Sequence, residues 1–118
     1  MSWDCTIIDP KTKQSIHTST RHNITGATYA AFGTTELWCN ITYNYAQFYR
    51  KYLGVGLEYF NNMRVEDSIP KLQEMVDSLG TDESSNYWDK TEGNARRAII
   101  NLLELAKLAP KDAVWEVV

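Results

Sequence analysis

Apolar and polar positions alternate early in the chain and recur at helical spacing later. The clearest alternation is Glu36 to Tyr45, ELWCNITYNY. Successive side chains of a strand leave on opposite faces. Leu37, Cys39, Ile41 and Tyr43 would therefore form an apolar, core-like face. Trp38, Asn40, Thr42 and Asn44 would form the other. Trp3 to Asp9 has β-branched strand character, and Asp9-Pro10-Lys11-Thr12 signals a turn. Gln14 to Ser19 then predicts the returning arm of a hairpin. Residues 20–35 are rich in Thr, Ala and Gly and read as irregular, with a short strand at Ala27 to Ala31.

The period changes after Tyr45. Residues 46–53 place Phe48, Tyr49, Tyr52 and Leu53 on one helical stripe, which Gly54 and Gly56 break. Residues 57–65 fit neither period. Asp67 or Ser68 can cap a helix over 69–79, with Pro70 in its first turn and Gly80 after its last apolar residue. Ile69, Leu72, Met75, Val76 and Leu79 form its stripe. Residues 81–90 are a polar loop carrying Tyr87 and Trp88. The longest helix spans about 92–108, capped by Asp89 or Thr91 and stopped by Pro110. Its apolar arc, widened by Ile100, Leu103 and Leu108, exceeds what a surface helix needs. Either it is buried centrally or its second side faces a partner, and the wide arc predicts self-association. Val114, Trp115 and Val117 predict a docked tail.

The sum is an α+β fold in a single domain, residues 1–118. A small antiparallel sheet from the N-terminal half is packed by two to three helices from the C-terminal half. With 43% hydrophobic and 23% charged residues, the composition is that of a folded globule and not a disordered chain.

Charge adds a function class to exclude. The net charge of -3 argues against direct nucleic-acid binding, which needs a positive surface. Residues 66–92 hold eight acids and two bases, Lys71 and Lys90. This stretch could occupy a basic groove on a protein partner, or be an ordinary solvated face. No apolar run reaches the ~20 residues of a membrane span, and the start lacks a secretory signal pattern. The expected location is the cytoplasm, with Cys5 and Cys39 as thiols and the sequons at Asn23 and Asn40 without meaning.

Several stretches carry a resemblance: HNITGATYAAFGTTELWCNITYNYAQFY, SIPKLQEMVDSLG, NYWDKTEGNARRAIINLLELAKLAP and the opening WDCTIIDP. Together they resemble a family of small phage and prophage proteins of gut Firmicutes, over nearly the whole chain. Its most recognisable parts are Asn40 to Tyr45, and Tyr87-Trp88 with Thr91 to Ala95. The tail Ala113-Val114-Trp115-Glu116 departs from the family's Gly-Ile-Trp-Asp type, and some members carry insertions near Lys51 to Gly56. The resemblance implies a viral accessory protein acting inside a bacterium, and no activity.

The residues themselves do not indicate catalysis. There is no nucleophile elbow, Walker loop or dinucleotide fingerprint, and Gly54-x-Gly56 lacks its third glycine and its setting. His17 and His22 are not at metal-ligand spacing, so no metal and no cofactor are expected. A Cys39–His22 dyad competes with a buried structural Cys39, which its apolar register favours.

Two places could bind a ligand. Trp38, Asn40, Thr42 and Asn44, with Tyr45, Tyr49 and Arg50 nearby, combine stacking surface, donors, acceptors and a cation, as a base or sugar requires. The competing reading is a solvated sheet face. The start of the long helix, with Trp88, Gly93, Asn94, Arg96 and Arg97, could hold a phosphate on its free amides. The competing reading is capping by Asp89 or Thr91. The tyrosines Tyr43, Tyr49, Tyr52 and Tyr59 are either interface or core. The expected function is a non-catalytic binding protein that counters host defence by sequestering a small nucleotide-type signal. The alternative is a direct protein inhibitor of a host defence nuclease or effector, docking through aromatics and residues 66–92.

Overall fold

A three-stranded antiparallel sheet with the order β4-β1-β5 backs three helices. The structure is a computed structural model and describes residues 1–24 and 33–118, so the strand expected at Ala27 to Ala31 lies outside the described residues. The strands are β1 (Ser2–Ile8), β2 (His17–His22), β3 (Thr34–Glu36), β4 (Trp38–Thr42) and β5 (Val114–Val117). The helices are α1 (Ala46–Leu53), α2 (Val65–Ser78) and α3 (Glu92–Leu108). The α+β class expected from the sequence is the class observed, with the chain's last strand added to the sheet.

β1 is central because its odd positions are apolar and its even positions are mostly polar. Trp3, Cys5 and Ile7 join Cys39, Ile41, Trp115 and Val117 on the inner face, all buried. Ser2, Asp4 and Thr6 lie on the other, partly exposed side. Cys5 is paired directly with Cys39, and both are free thiols. Burial pushes the Cys39 thiol up to about 12, and it raises Cys5 as well.

Both edges of this sheet are covered, which removes a route to aggregation. On the β4 side, the Tyr87 hydroxyl accepts from Thr42 N at 3.2 Å and donates to Asn40 O at 3.4 Å, standing in for a neighbouring strand. On the β5 side, Asn62 N and Val65 N donate to Trp115 O and Ala113 O.

Three expectations are corrected. The alternating segment 36–45 is not one strand. Leu37 interrupts it, and its amide and carbonyl bond Ile16 and Ile7. Beyond Thr42 the chain turns into a 3-10 turn, Tyr43–Tyr45, because the Thr42 hydroxyl accepts from Asn44 N. Tyr43 consequently leaves the core, at 39% exposed, and Tyr45 enters it. The hairpin return is reduced to one bridge, Ile8 to Ser15, and His17–His22 pairs with β3 instead. The turn between them does form: Asp9 Oδ1 accepts from Lys11 N and Thr12 N at 2.7 and 3.2 Å.

The third correction is α2, which starts at Val65 and places Pro70 inside the helix. An interior proline costs a backbone bond. Tertiary anchoring at the helix start offsets it: Val65 N donates to Ala113 O at 2.9 Å, and the Trp115 indole donates to the buried Ser68 hydroxyl at 2.9 Å.

α1 and α3 have the expected bounds. The broad apolar arc of α3 is consumed within the chain. α3 packs on α2, β4, α1 and the turn at Tyr43–Tyr45. Leu103 is buried, and Ile100 packs on the same core. That arc gives no ground for the expected self-association; Leu108 alone of it is half exposed.

Candidate functional site

The turn at Tyr43–Tyr45 and the start of α1 overhang the end of β1 and leave a groove of about 550 Å³, within the range of small-ligand sites. Trp3, Tyr43 and Val117 supply its apolar surface, and Asn44 and Gln47 supply amides. Arg50 and Lys90 supply two cations, and Glu58 one carboxylate.

Three of these groups are held in place. The Trp3 ring packs edge-on against Tyr43 with centroids 4.6 Å apart. Its indole Nε1 donates to Glu58 Oε1 at 3.2 Å. Asn44 Nδ2 donates to Trp88 O at 2.9 Å, tying the groove to the loop that carries Lys90. Gly56 approaches so closely that a Cβ there would lie 2.5 Å from the Trp3 ring and 2.6 Å from Glu58 Oε1. The second glycine of Gly54-x-Gly56 thus has a local steric role: it admits the Trp3–Glu58 contact.

The structure divides the residues expected to bind. Asn44 and Arg50 line the groove. Trp38 and Asn40 lie on the outer face of the sheet, where both donate to Asp4 Oδ1, at 3.2 and 3.0 Å; Asn40 also donates to Ser2 Oγ at 2.8 Å. They are part of a cross-strand ladder and not of the groove. Thr42 is buried, with its hydroxyl committed to Asn44 N. Tyr45 is buried, and its hydroxyl donates to Tyr87 O. Burial raises the hydroxyls of Tyr45, Tyr49 and Tyr87 above the ordinary tyrosine value. Trp88 is 53% exposed and packs edge-on against Tyr87.

The phosphate site expected at the start of α3 is taken by the protein itself. Thr91 Oγ1 accepts from Asn94 N at 3.0 Å, Asp82 Oδ1 accepts from Gly93 N at 3.1 Å, and Thr91 O accepts from Ala95 N at 3.1 Å. The backbone of Asp82 and Glu83 fills the space that Gly93 leaves, within 2.5 Å of a would-be Cβ. Asn94 is buried and accepts from Ser84 N while donating to Asn86 O and Asp89 O. Arg97 pairs with Glu83 at 3.0 Å. Capping, the alternative reading, therefore describes this helix start, and Asn94 and Arg97 hold the loop.

The same contacts redraw the acidic stretch. Asp82, Glu83, Asp89 and Glu92 each bond a group within the chain. Glu66, Asp67, Glu74 and Asp77 lie on the exposed side of α2, where Glu66 pairs with Arg64, Glu74 with Lys71, and Asp77 accepts from Gln73.

Neither histidine faces Cys39. His22 Nδ1 accepts from Ile24 N at 3.0 Å, so its Nε2 is the protonated nitrogen and donates to Glu36 O at 2.7 Å. His17 Nδ1 bonds Thr35 Oγ1. Among the described residues no cluster of three metal-ligating side chains forms, and no helix is long and apolar enough to cross a membrane.

Sequence reasoning missed Trp3, Gln47, Glu58 and Lys90. Trp3 is read from the sequence only as the start of a strand, and the others carry no pattern. Compared with protein-family models, curated proteins and solved structures, the chain finds no match in any of the three.

Proposed function

We propose that this is a non-catalytic binding protein whose site is the groove at Trp3, Tyr43, Asn44, Arg50, Glu58 and Lys90. Its ligand class is a small, planar, anionic molecule of nucleotide type. The observation that supports this most is the placing of two cations, Arg50 and Lys90, beside an exposed tyrosine edge-packed on Trp3. Among the described residues neither cation pairs with an acid of the chain. Aromatic surface suits a base, and cations suit its phosphate. With the resemblance to small phage proteins, the biological reading is sequestration of a host defence signal in the bacterial cytoplasm. Thermal-shift and calorimetric titration with cyclic nucleotides, nucleoside phosphates and ADP-ribose tests it. Binding that is lost in an Arg50→Ala/Lys90→Ala double variant supports the reading. No binding at high micromolar ligand sinks it.

The exposed acids of α2, Glu66, Asp67, Glu74 and Asp77, favour a second reading. There the chain inhibits a basic host nuclease or effector directly. Purified basic nucleases titrated at low salt, where such docking is strongest, test it. Charge reversal of these four acids would abolish inhibition under this reading and leave nucleotide binding untouched under the first.

A further inference from the structure

We infer that the groove selects guanine among the common bases, an inference that rests on reading the groove as a nucleotide site. Among the described residues, Glu58 is the only one whose side chain brings a carboxylate to it. The residue is exposed, and its carboxylate is tethered through one oxygen. Trp3 Nε1 donates to Oε1 at 3.2 Å, and the missing side chain of Gly56 leaves room for that contact.

An ionised carboxylate offers about four acceptor sites and no donor. The indole uses one, and Oε2 remains free to accept. The edge of a base that meets this carboxylate must therefore present donors. Guanine has two adjacent donors, the ring N1–H and the exocyclic amine, spaced to meet a carboxylate as a pair. Adenine and cytosine present one amine beside an unprotonated ring nitrogen, whose lone pair would face a carboxylate oxygen. Uracil presents one N–H flanked by two carbonyls. Only guanine meets Glu58 without a repulsive neighbour, and hydrogen bonds to an ionised acceptor are the strong ones.

The charges on the rest of the groove fit the other end of the same ligand. Arg50 and Lys90 balance the phosphate, and the Trp3-supported Tyr43 offers a ring to the base. An arrangement with cations alone would take any phosphate. The tethered carboxylate turns away phosphates that bring no donor with them.

Calorimetric titration of GMP, IMP and AMP into the full chain tests this. IMP keeps N1–H and lacks the amine. GMP is expected to bind at least roughly tenfold tighter than AMP, with IMP between them, as for sites that pair a buried or fixed polar group. Glu58→Gln should close the gap, because a carboxamide puts a donor where the carboxylate accepts. Its thermal melt checks folding, and the comparison in the unaltered chain stands without it. Equal binding of GMP and AMP, lost in Arg50→Ala/Lys90→Ala, overturns base selection while keeping the groove as a phosphate site. No binding of any of the three at millimolar concentration overturns both.

Discussion

The Trp3 indole donates to the Glu58 carboxylate across 3.2 Å, joining the first strand to a 3-10 turn that is 55 residues away in sequence. This contact sets the floor of the groove. It exists because Gly56 carries no side chain between the two residues.

Gly56→Ala should therefore damage fold and site together. Its methyl would overlap a ring that is only 6% exposed and has little freedom to move. Overpacking of this kind costs about 1–3 kcal/mol. Urea unfolding should show a lower midpoint at unchanged slope. An unchanged midpoint would mean that the Trp3 ring yields freely and that Glu58 is not fixed.

Asn94→Ala should loosen the 81–91 loop. The side chain makes three bonds to that loop from a buried position, at 2.9, 2.9 and 3.2 Å. Losing them leaves the Ser84 amide and two carbonyls without their partner, at roughly 1–3 kcal/mol for a group left unsatisfied. Hydrogen exchange should accelerate at Ser84 and in the first turn of α3. If protection there is unchanged, Asn94 is not the clamp described.

Stability should fall in alkaline solution. Cys5, Cys39, Tyr45, Tyr49 and Tyr87 all hold their protons more tightly when folded than when unfolded. Above the ordinary thiol value of 9.0 the unfolded chain releases protons that the folded chain keeps, so unfolding becomes easier as pH rises. The stabilisation from Cys39 is fully present below pH 9 and declines from there towards 12, at a slope of up to about 1.4 kcal/mol per pH unit, and the other four groups add to the decline in the same direction. Chemical unfolding at pH 8, 9.5 and 10.5 checks the sign. A Cys5→Ser/Cys39→Ser variant should show a shallower decline, and a flat profile in the parent chain would refute it.

Much of the fold was legible because it follows local rules. The α3 bounds follow from Thr91 and Pro110, and the inner face of β4 from alternation at Cys39 and Ile41. The 36–45 alternation misled because a threonine followed two residues later by an accessible amide can turn the chain as readily as extend it. The early start of α2 was hidden for another reason: Ala113 and Trp115, which anchor Val65 and Ser68, lie more than 45 residues further on.

The candidate site was legible only in part. Asn44 and Arg50 stood out by type and reach the groove. Trp38 and Asn40 stood out equally and belong to a ladder with Asp4. Nothing local distinguishes the two cases, because the difference is which strand pairs with β4. Asn94 beside Gly93 has the composition of an anion site, yet Asp82 and Thr91 already satisfy its amides. Glu58 and Lys90 are ordinary surface residues until the fold sets them around Trp3.

The four tryptophan indoles offer the most direct test of where a ligand binds. Trp3 lies in the groove, Trp38 on the outer sheet face, Trp88 on the exposed loop, and Trp115 in the core on Ser68. Each indole N–H gives its own nitrogen-15 correlation signal, and GMP can be titrated against all four at once. The groove account predicts a large shift of the Trp3 signal, with Trp38 and Trp115 unmoved. A shift confined to Trp38, or no shift at Trp3 on saturation, would contradict it.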